Sequence, residues 1–202
     1  MTSTLIDGPL KISDDAADLL FREARTANTF TDEPVTEEQV KAIYDLIKWG
    51  PTSMNQQPLR IVLVRSPQAR ERLLPLLAEG NRAKTGAAPL VAILAADLDF
   101  HEEFPKTFPY KPDAKELFEG LDREPHARLN ATLQIGYFIL GVRAAGLAAG
   151  PMTGFDAAAI DQEFFPDGRH RTLVVVNLGQ PGENAWFDRS PRLDQDEVVT
   201  TV

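Results

Sequence analysis

Apolar positions recur at helical spacing from the start of the readable pattern. Ala16, Ala17, Leu19, Leu20 and Phe21 form a stripe behind Ser13-Asp14-Asp15, which predicts a first helix from Ser13 to about Arg25. Thr36 and Gln39 make a capping box after Pro34 and open a second helix through Trp49, with Val40, Ile43, Tyr44 and Ile47 inward. Ile61–Val64 reads as a short strand, and Ser66 followed by Pro67 opens a helix to about Leu77. Leu90–Ala96 is apolar throughout, so it predicts a strand covered on both faces. Residues 97–125 lose this regularity; Pro105, Pro109, Pro112 and Pro125 alternate with Phe100, Phe104, Phe108, Tyr110 and Phe118. They read as an irregular cover segment, a candidate lid, with one short helix near 113–119. The longest helix follows over 126–146, and its small residues (among them Ala127, Ala131, Gly136 and Gly141) suit a central or interface position. Gly150–Gly154 reads as a tight turn, 156–164 as a short helix and Leu173–Leu178 as a third buried strand, before a charged, polar tail from Trp186. The sum is a single α+β domain over 1–202, a small central sheet surrounded by helices.

A chain of 202 residues with 43% hydrophobic content can bury a real core. Its net charge of −9 argues against nucleic acid and anionic membrane surfaces as partners, so an anionic ligand must find a local cluster of cations. With no cysteine there is no disulfide frame, thiol nucleophile or zinc-thiolate site. Residues 1–12 lack a basic start and a continuous apolar run, which argues against a secretory leader. The apolar stretch 126–149 is interrupted by Arg128, Asn130, Gln134 and Arg143, too polar to span a membrane. A soluble, cytoplasmic protein is expected.

The candidate chemistry lies in four stretches. Gly50–Pro58 offers Thr52, Ser53, Asn55, Gln56 and Gln57 between two prolines, a polar ledge for a flat, heteroatom-rich ligand or else a solvated helix-to-strand turn. Arg25-Thr26-Ala27-Asn28 closes the first helix, Gly80-Asn81-Arg82-Ala83-Lys84 precedes the second strand, and Gly150-Pro151-Met152-Thr153-Gly154-Phe155-Asp156 precedes the third, with Arg189-Ser190-Pro191-Arg192 near the end of the chain. No Gly-x-Ser-x-Gly elbow, Walker loop or strand-linked Gly-x-Gly-x-x-Gly is present, and His101, His126 and His170 lack metal-site spacing. Neither a catalytic side chain nor a metal ligand is therefore assigned.

Together and in this order, these stretches resemble the FMN-dependent nitroreductase family, and most closely its malonic semialdehyde reductase branch. The resemblance implies a homodimer with FMN at the subunit interface and NAD(P)H as hydride donor. It implies that Arg25, Arg189 and Arg192, aided by Thr26 and Asn28, hold the phosphate. Pro51, Thr52, Ser53, Asn55 and Asn81 then line the ring, the ledge serving the partner's flavin, and Lys84 sits near the pyrimidine edge, where a cation stabilises the reduced flavin. Pro151, Thr153 and Gly154 lie against the ring, with a backbone N–H, assigned to Thr153, facing N5. Asn81 has a competing reading as a helix C-cap after Gly80. Two departures stand out: Ala24 and Asn28 occupy positions where many members carry basic residues. The implied reaction is hydride transfer from NAD(P)H through the flavin to a small acceptor, malonic semialdehyde giving 3-hydroxypropanoate. A broad nitro- or quinone reductase and a non-enzymatic flavin-binding homologue are the alternatives. Lys106, Lys111 or Arg123 of the lid are candidates for a substrate carboxylate, or plain solvated charges.

Overall fold

The computed structural model describes residues 10–202. The reading of the first stretch as no leader therefore falls mostly outside the described residues. Helix α1 (Asp14–Ala17), capped by the Ser13 side chain, runs straight into a π-helical turn over Asp18–Arg22. The expected single helix to Arg25 ends at this turn, where Arg143 donates to the Leu20 carbonyl (3.1 Å). Helix α2 (Glu37–Ile47) begins on the Thr36–Gln39 capping box, both halves formed. Strand β1 (Leu59–Val64) leads to α3 (Pro67–Leu73), capped by Ser66; Pro75 then tightens the chain into a 3-10 turn, Leu74–Leu76.

Helix α4 (Glu79–Ala87) was not expected, because two glycines and few apolar residues give its sequence little helical signal. Its order comes from outside: Arg70 donates to the Thr85 carbonyl (2.7 Å) and Arg82 to the Leu77 carbonyl (2.9 Å). Strand β2 (Leu90–Asp97) follows, buried at every position as its composition predicted. The cover segment holds a 3-10 turn (Phe100–Glu103), the short α5 (Phe104–Thr107) and a 3-10 stretch (Pro112–Phe118), more ordered than the one short helix expected. Helix α6 (Glu124–Ala144) is the longest, β3 is Ala148–Met152, α7 is Ala157–Phe164, β4 is His170–Gly179, and a short α8 (Gln195–Val198) interrupts the polar tail on an Asp194–Glu197 capping box.

The sheet has four strands in the order β1-β2-β4-β3, all antiparallel neighbours. The extra strand, β3, occupies residues read as a tight turn. Pro151 cannot donate to a ladder, yet β3 is an edge strand, where a missing N–H is tolerated on the open side. Leu90, Ala92 and Leu94 of β2 pack with Ile43 and Ile47 of α2 and Ile135, Phe138 and Val142 of α6. Val91, Ile93 and Ala95 on the opposite face meet Leu73, Leu77 and Ile160. The sheet thus lies inside helices, an α+β arrangement. Gly141 is where α6 meets α2 most closely, with a hypothetical Cβ only 2.3 Å from Ile47 Cγ2.

Candidate functional site

Three of the four stretches are fastened together along β3. At its start, Ala27 N donates to Ala149 O (3.2 Å) and Asn28 N to Ala185 O (3.0 Å), drawing the 24–28 stretch and the tail onto the strand. Beyond its end, Gly154 O accepts from Ala78 N (2.9 Å) and from Asn81 Nδ2 (2.9 Å). The glycines serve these joints. A Cβ at Gly150 would stand 2.8 Å from Ala27 O, and one at Gly154 would stand 2.7 Å from Asn81 Nδ2. Protein atoms, rather than open space, meet both positions.

Arg25 is half-buried and lines a cavity of about 190 Å³ with Ala24, Arg143 and Trp186; among the described residues its side chain makes no hydrogen bond or ion pair. Thr26 is exposed, and its carbonyl takes the Asn28 amide at 3.4 Å. Arg189 donates to the Arg22 and Ala24 carbonyls, so the tail returns to the first motif. Arg192 does not join it: exposed, it donates to the carbonyls of Ser190 (2.8 Å) and Pro191 (3.1 Å) in its own turn. Asn81 lies in the first turn of α4 rather than at a helix C-terminus, and Lys84 follows on the same helix, half-buried and without a described partner. Pro151 pairs with Val176 inside β3, and Thr153 is exposed just after the strand ends.

The ledge is built elsewhere. Asn130, 2% exposed, accepts from Ser53 N (2.7 Å) and donates to Gln56 Oε1 (2.9 Å); Gln134 accepts from Leu59 N (2.9 Å). Asn130 and Arg143 lie on one helix about 20 Å apart along its axis at 1.5 Å per residue, so the ledge and the cations occupy opposite halves of α6. Thr52 Oγ1 accepts from Gln57 N (3.2 Å), and Asn55 Nδ2 donates to Thr107 O (2.7 Å). Pro51 and Ser53 face solvent. Met54, Asn55 and Gln57 adopt φ of 50°, 53° and 45°, left-handed values that side chains disfavour and that concentrate at functional sites. Asn130, Gln134 and Arg143 were visible in the sequence only as polar interruptions of an apolar helix. Those interruptions were the signal that these positions face something other than the core.

The cover segment is anchored by Phe100 and Phe104, both fully buried, against Phe118 and against Ala127 and Ala131 of α6. Of its cations, Arg123 is committed to Asp99 (2.6 Å) and to Leu98 O (2.8 Å). Lys106 instead lines a cavity of about 730 Å³, which runs between α2, β1 and α5 and is bordered by Asn55 and Gln57 of the ledge. Lys111 is exposed. At the far end of the sheet Asp97, fully buried, pairs with Arg60 (2.7 Å) and Arg169. Burial alone would raise its carboxyl, but the Arg169 hydrogen bond and the Arg60 charge outweigh it and hold the pKa below the usual range.

Comparison with known proteins bears on the family and the fold. A protein from Streptomyces griseus, provisionally named NADH dehydrogenase/NAD(P)H nitroreductase, is 68% identical over 93% of this chain and 96% of its own length. A Streptomyces coelicolor protein with the same kind of name is 49% identical over 96% of this chain and 98% of its own. Among solved structures, a nitroreductase family protein from Streptococcus pneumoniae superimposes with a TM-score of 0.80 at 20% identity, covering 91% of this chain and 98% of that one. A provisionally named nitroreductase from Exiguobacterium sibiricum, solved in complex with FMN, gives 0.84 at 17% identity, covering 95% and 99%. At such identities the structures speak for the fold alone. The nitroreductase family model matches residues 21–180, a span that takes in the 25–28, 50–58, 80–84 and 150–156 stretches but not Arg189 and Arg192, and by that match and the close relatives the chain belongs to the nitroreductase family.

Proposed function

We propose that this chain is an FMN-dependent NAD(P)H oxidoreductase acting on a small acceptor, working as a homodimer. The observation that carries the reading is the joint along β3: cations gather at its Ala148 end, and the Asn81 amide and Lys84 lie past its Met152 end. Those ends lie about 13 Å apart at 3.3 Å per residue, a separation suited to a ribityl phosphate arm between a phosphate and a ring. The Arg25 cavity fits a phosphate because an unpaired guanidinium lines it in an acidic chain. The names of the close relatives and the FMN complex of a structural neighbour support the cofactor and the donor.

The chemistry supplied by bound FMN is two-electron carriage between NAD(P)H and the acceptor. Arg25 and Arg189 would hold the phosphate, Asn81 fixes the turn that carries Thr153, and Lys84 would supply a positive charge that stabilises the reduced ring. The ledge, standing apart from these groups in its own chain, serves the site of a second copy. An unpartnered apolar stripe on α6, with Leu129 64%, Leu133 49% and Tyr137 41% exposed, and Trp49 at 79%, supplies a surface for that copy.

For the acceptor, Lys106 at the large cavity supports a small acid such as malonic semialdehyde, its carboxylate meeting that ammonium. The relatives' names favour the second reading, a broad nitroreductase. A yellow preparation that bleaches with NADPH under nitrogen establishes the oxidoreductase; colour without bleaching refutes it. Steady-state rates then separate the acceptors: malonic semialdehyde turned over no better than a nitroaromatic ends the specific assignment.

A further inference from the structure

Helix α6 ends with Arg143 in its last turn, reaching toward the start of the chain. Its Nη1 donates to Leu20 O at 3.1 Å, while its Nε is buried with no partner. The guanidinium lines the same 190 Å³ cavity as Arg25. Among the described residues, neither arginine forms an ion pair, although Glu23 also borders the cavity. Burial first, and then the nearby charge of Arg189, push the Arg143 pKa below the ordinary guanidinium value.

This is an unusual place to leave a cation. A half-buried guanidinium beside a second one in the same cavity, with an unsatisfied donor and no ion pair among the described residues, is unfavourable unless an anion enters. The stretch next to Arg25 is short of charge, since Ala24 and Asn28 flank it, and Arg192 is spent on its own turn. We propose that Arg143 is a phosphate-binding residue of the FMN site, supplying from α6 the cation that the 24–28 stretch lacks. Its bond to Leu20 O holds the guanidinium at the cavity, where its remaining Nη hydrogens would meet the phosphate.

The inference rests on the FMN reading, and the test separates the two. FMN and riboflavin differ only in the phosphate, so the ratio of their dissociation constants isolates the phosphate contacts. Both constants are measured on apo-protein by quenching of flavin fluorescence, for wild type, Arg143→Gln and Arg143→Lys, with circular dichroism confirming the fold. Wild type should favour FMN strongly. Arg143→Gln should weaken FMN about 10- to 100-fold, the range for one charge-assisted contact, with riboflavin affinity held within about twofold. Should the glutamine variant fail to fold, Arg143→Lys decides: its shorter, single-point ammonium cannot hold both Leu20 O and the phosphate, so the FMN-to-riboflavin ratio drops at least about fivefold. An unchanged ratio in the variants, with a preference intact in wild type, overturns the Arg143 assignment and leaves Arg143 as a tether for the π-helical turn. Wild type that binds neither flavin overturns the FMN reading and this inference with it.

Discussion

Replacing Asn130 with alanine isolates the claim that one buried amide holds the ledge in its strained shape. Three hydrogen bonds disappear: to Ser53 N (2.7 Å), Gln56 Oε1 (2.9 Å) and His126 O (2.9 Å). At a net ~1 kcal/mol each, these come to about 3 kcal/mol. Gln56 is 1% exposed and its Nε2 already lacks a partner, so stranding Oε1 as well adds about 1–3 kcal/mol. Against this, a freed ledge relaxes the left-handed residues Met54, Asn55 and Gln57, recovering about 1–3 kcal/mol. The net expectation is a loss of about 3 kcal/mol, or about 6–12 °C in Tm for a chain of this size. Urea unfolding measures the loss, and hydrogen exchange locates it: Ser53 and Gln57 amides should lose protection together while those of β2 hold theirs. A double-mutant cycle with Gln56→Ala should give a coupling of about 1–2 kcal/mol. A loss under about 1 kcal/mol, with the Ser53 amide still protected and the two substitutions additive, would refute the reasoning.

Gly141→Ala drives a methyl to within 2.3 Å of Ile47 Cγ2 and 3.2 Å of Ile43 Cγ2, so we expect about 1–3 kcal/mol of overpacking at the α2–α6 crossing, read from the urea midpoint. Gly150→Ala meets Ala27 O at 2.8 Å and should part the 24–28 stretch from β3, seen as faster exchange of the Ala27 amide with the rest of the sheet protected. Asp97→Asn leaves Arg60 and Arg169 without their shared carboxylate and should cost about 2–3 kcal/mol near neutrality, below the usual range for a buried pair because both arginines are about a third exposed. Because the Asp97 pKa is depressed on folding, its contribution is complete above about pH 4 and fades as pH falls through the folded value, so the gap between wild type and Asp97→Asn must narrow in acid. His101 has the opposite charge type: burial, then the Arg123 charge, lower its pKa, so wild type should lose stability as pH falls below about 6.5, and His101→Gln should flatten that slope.

What the sequence determined by itself was the local chemistry. Thr36 and Ser66 cap the helices they were expected to cap, because a cap needs only a side chain three residues from an orphan N–H. The unbroken apolar run of β2 declared a strand hidden on both faces, since nothing in it tolerates water. The family-like order of the four stretches was likewise written in the chain. Tertiary structure alone decided the rest. Helix α4 is held by Arg70, fifteen residues upstream of Thr85, which supplies a donor to its Thr85 carbonyl that its own weak sequence does not. Residues 148–152 became a strand because β4 offers a free edge on which a proline is harmless. Asn130 anchors the ledge across 77 positions of sequence, and Arg143 reaches Leu20 across 123, distances over which no periodicity carries information. Caps and stripes are settled by neighbours a turn away, whereas the partner of a buried polar group is chosen by whichever segment the folded sheet brings beside it.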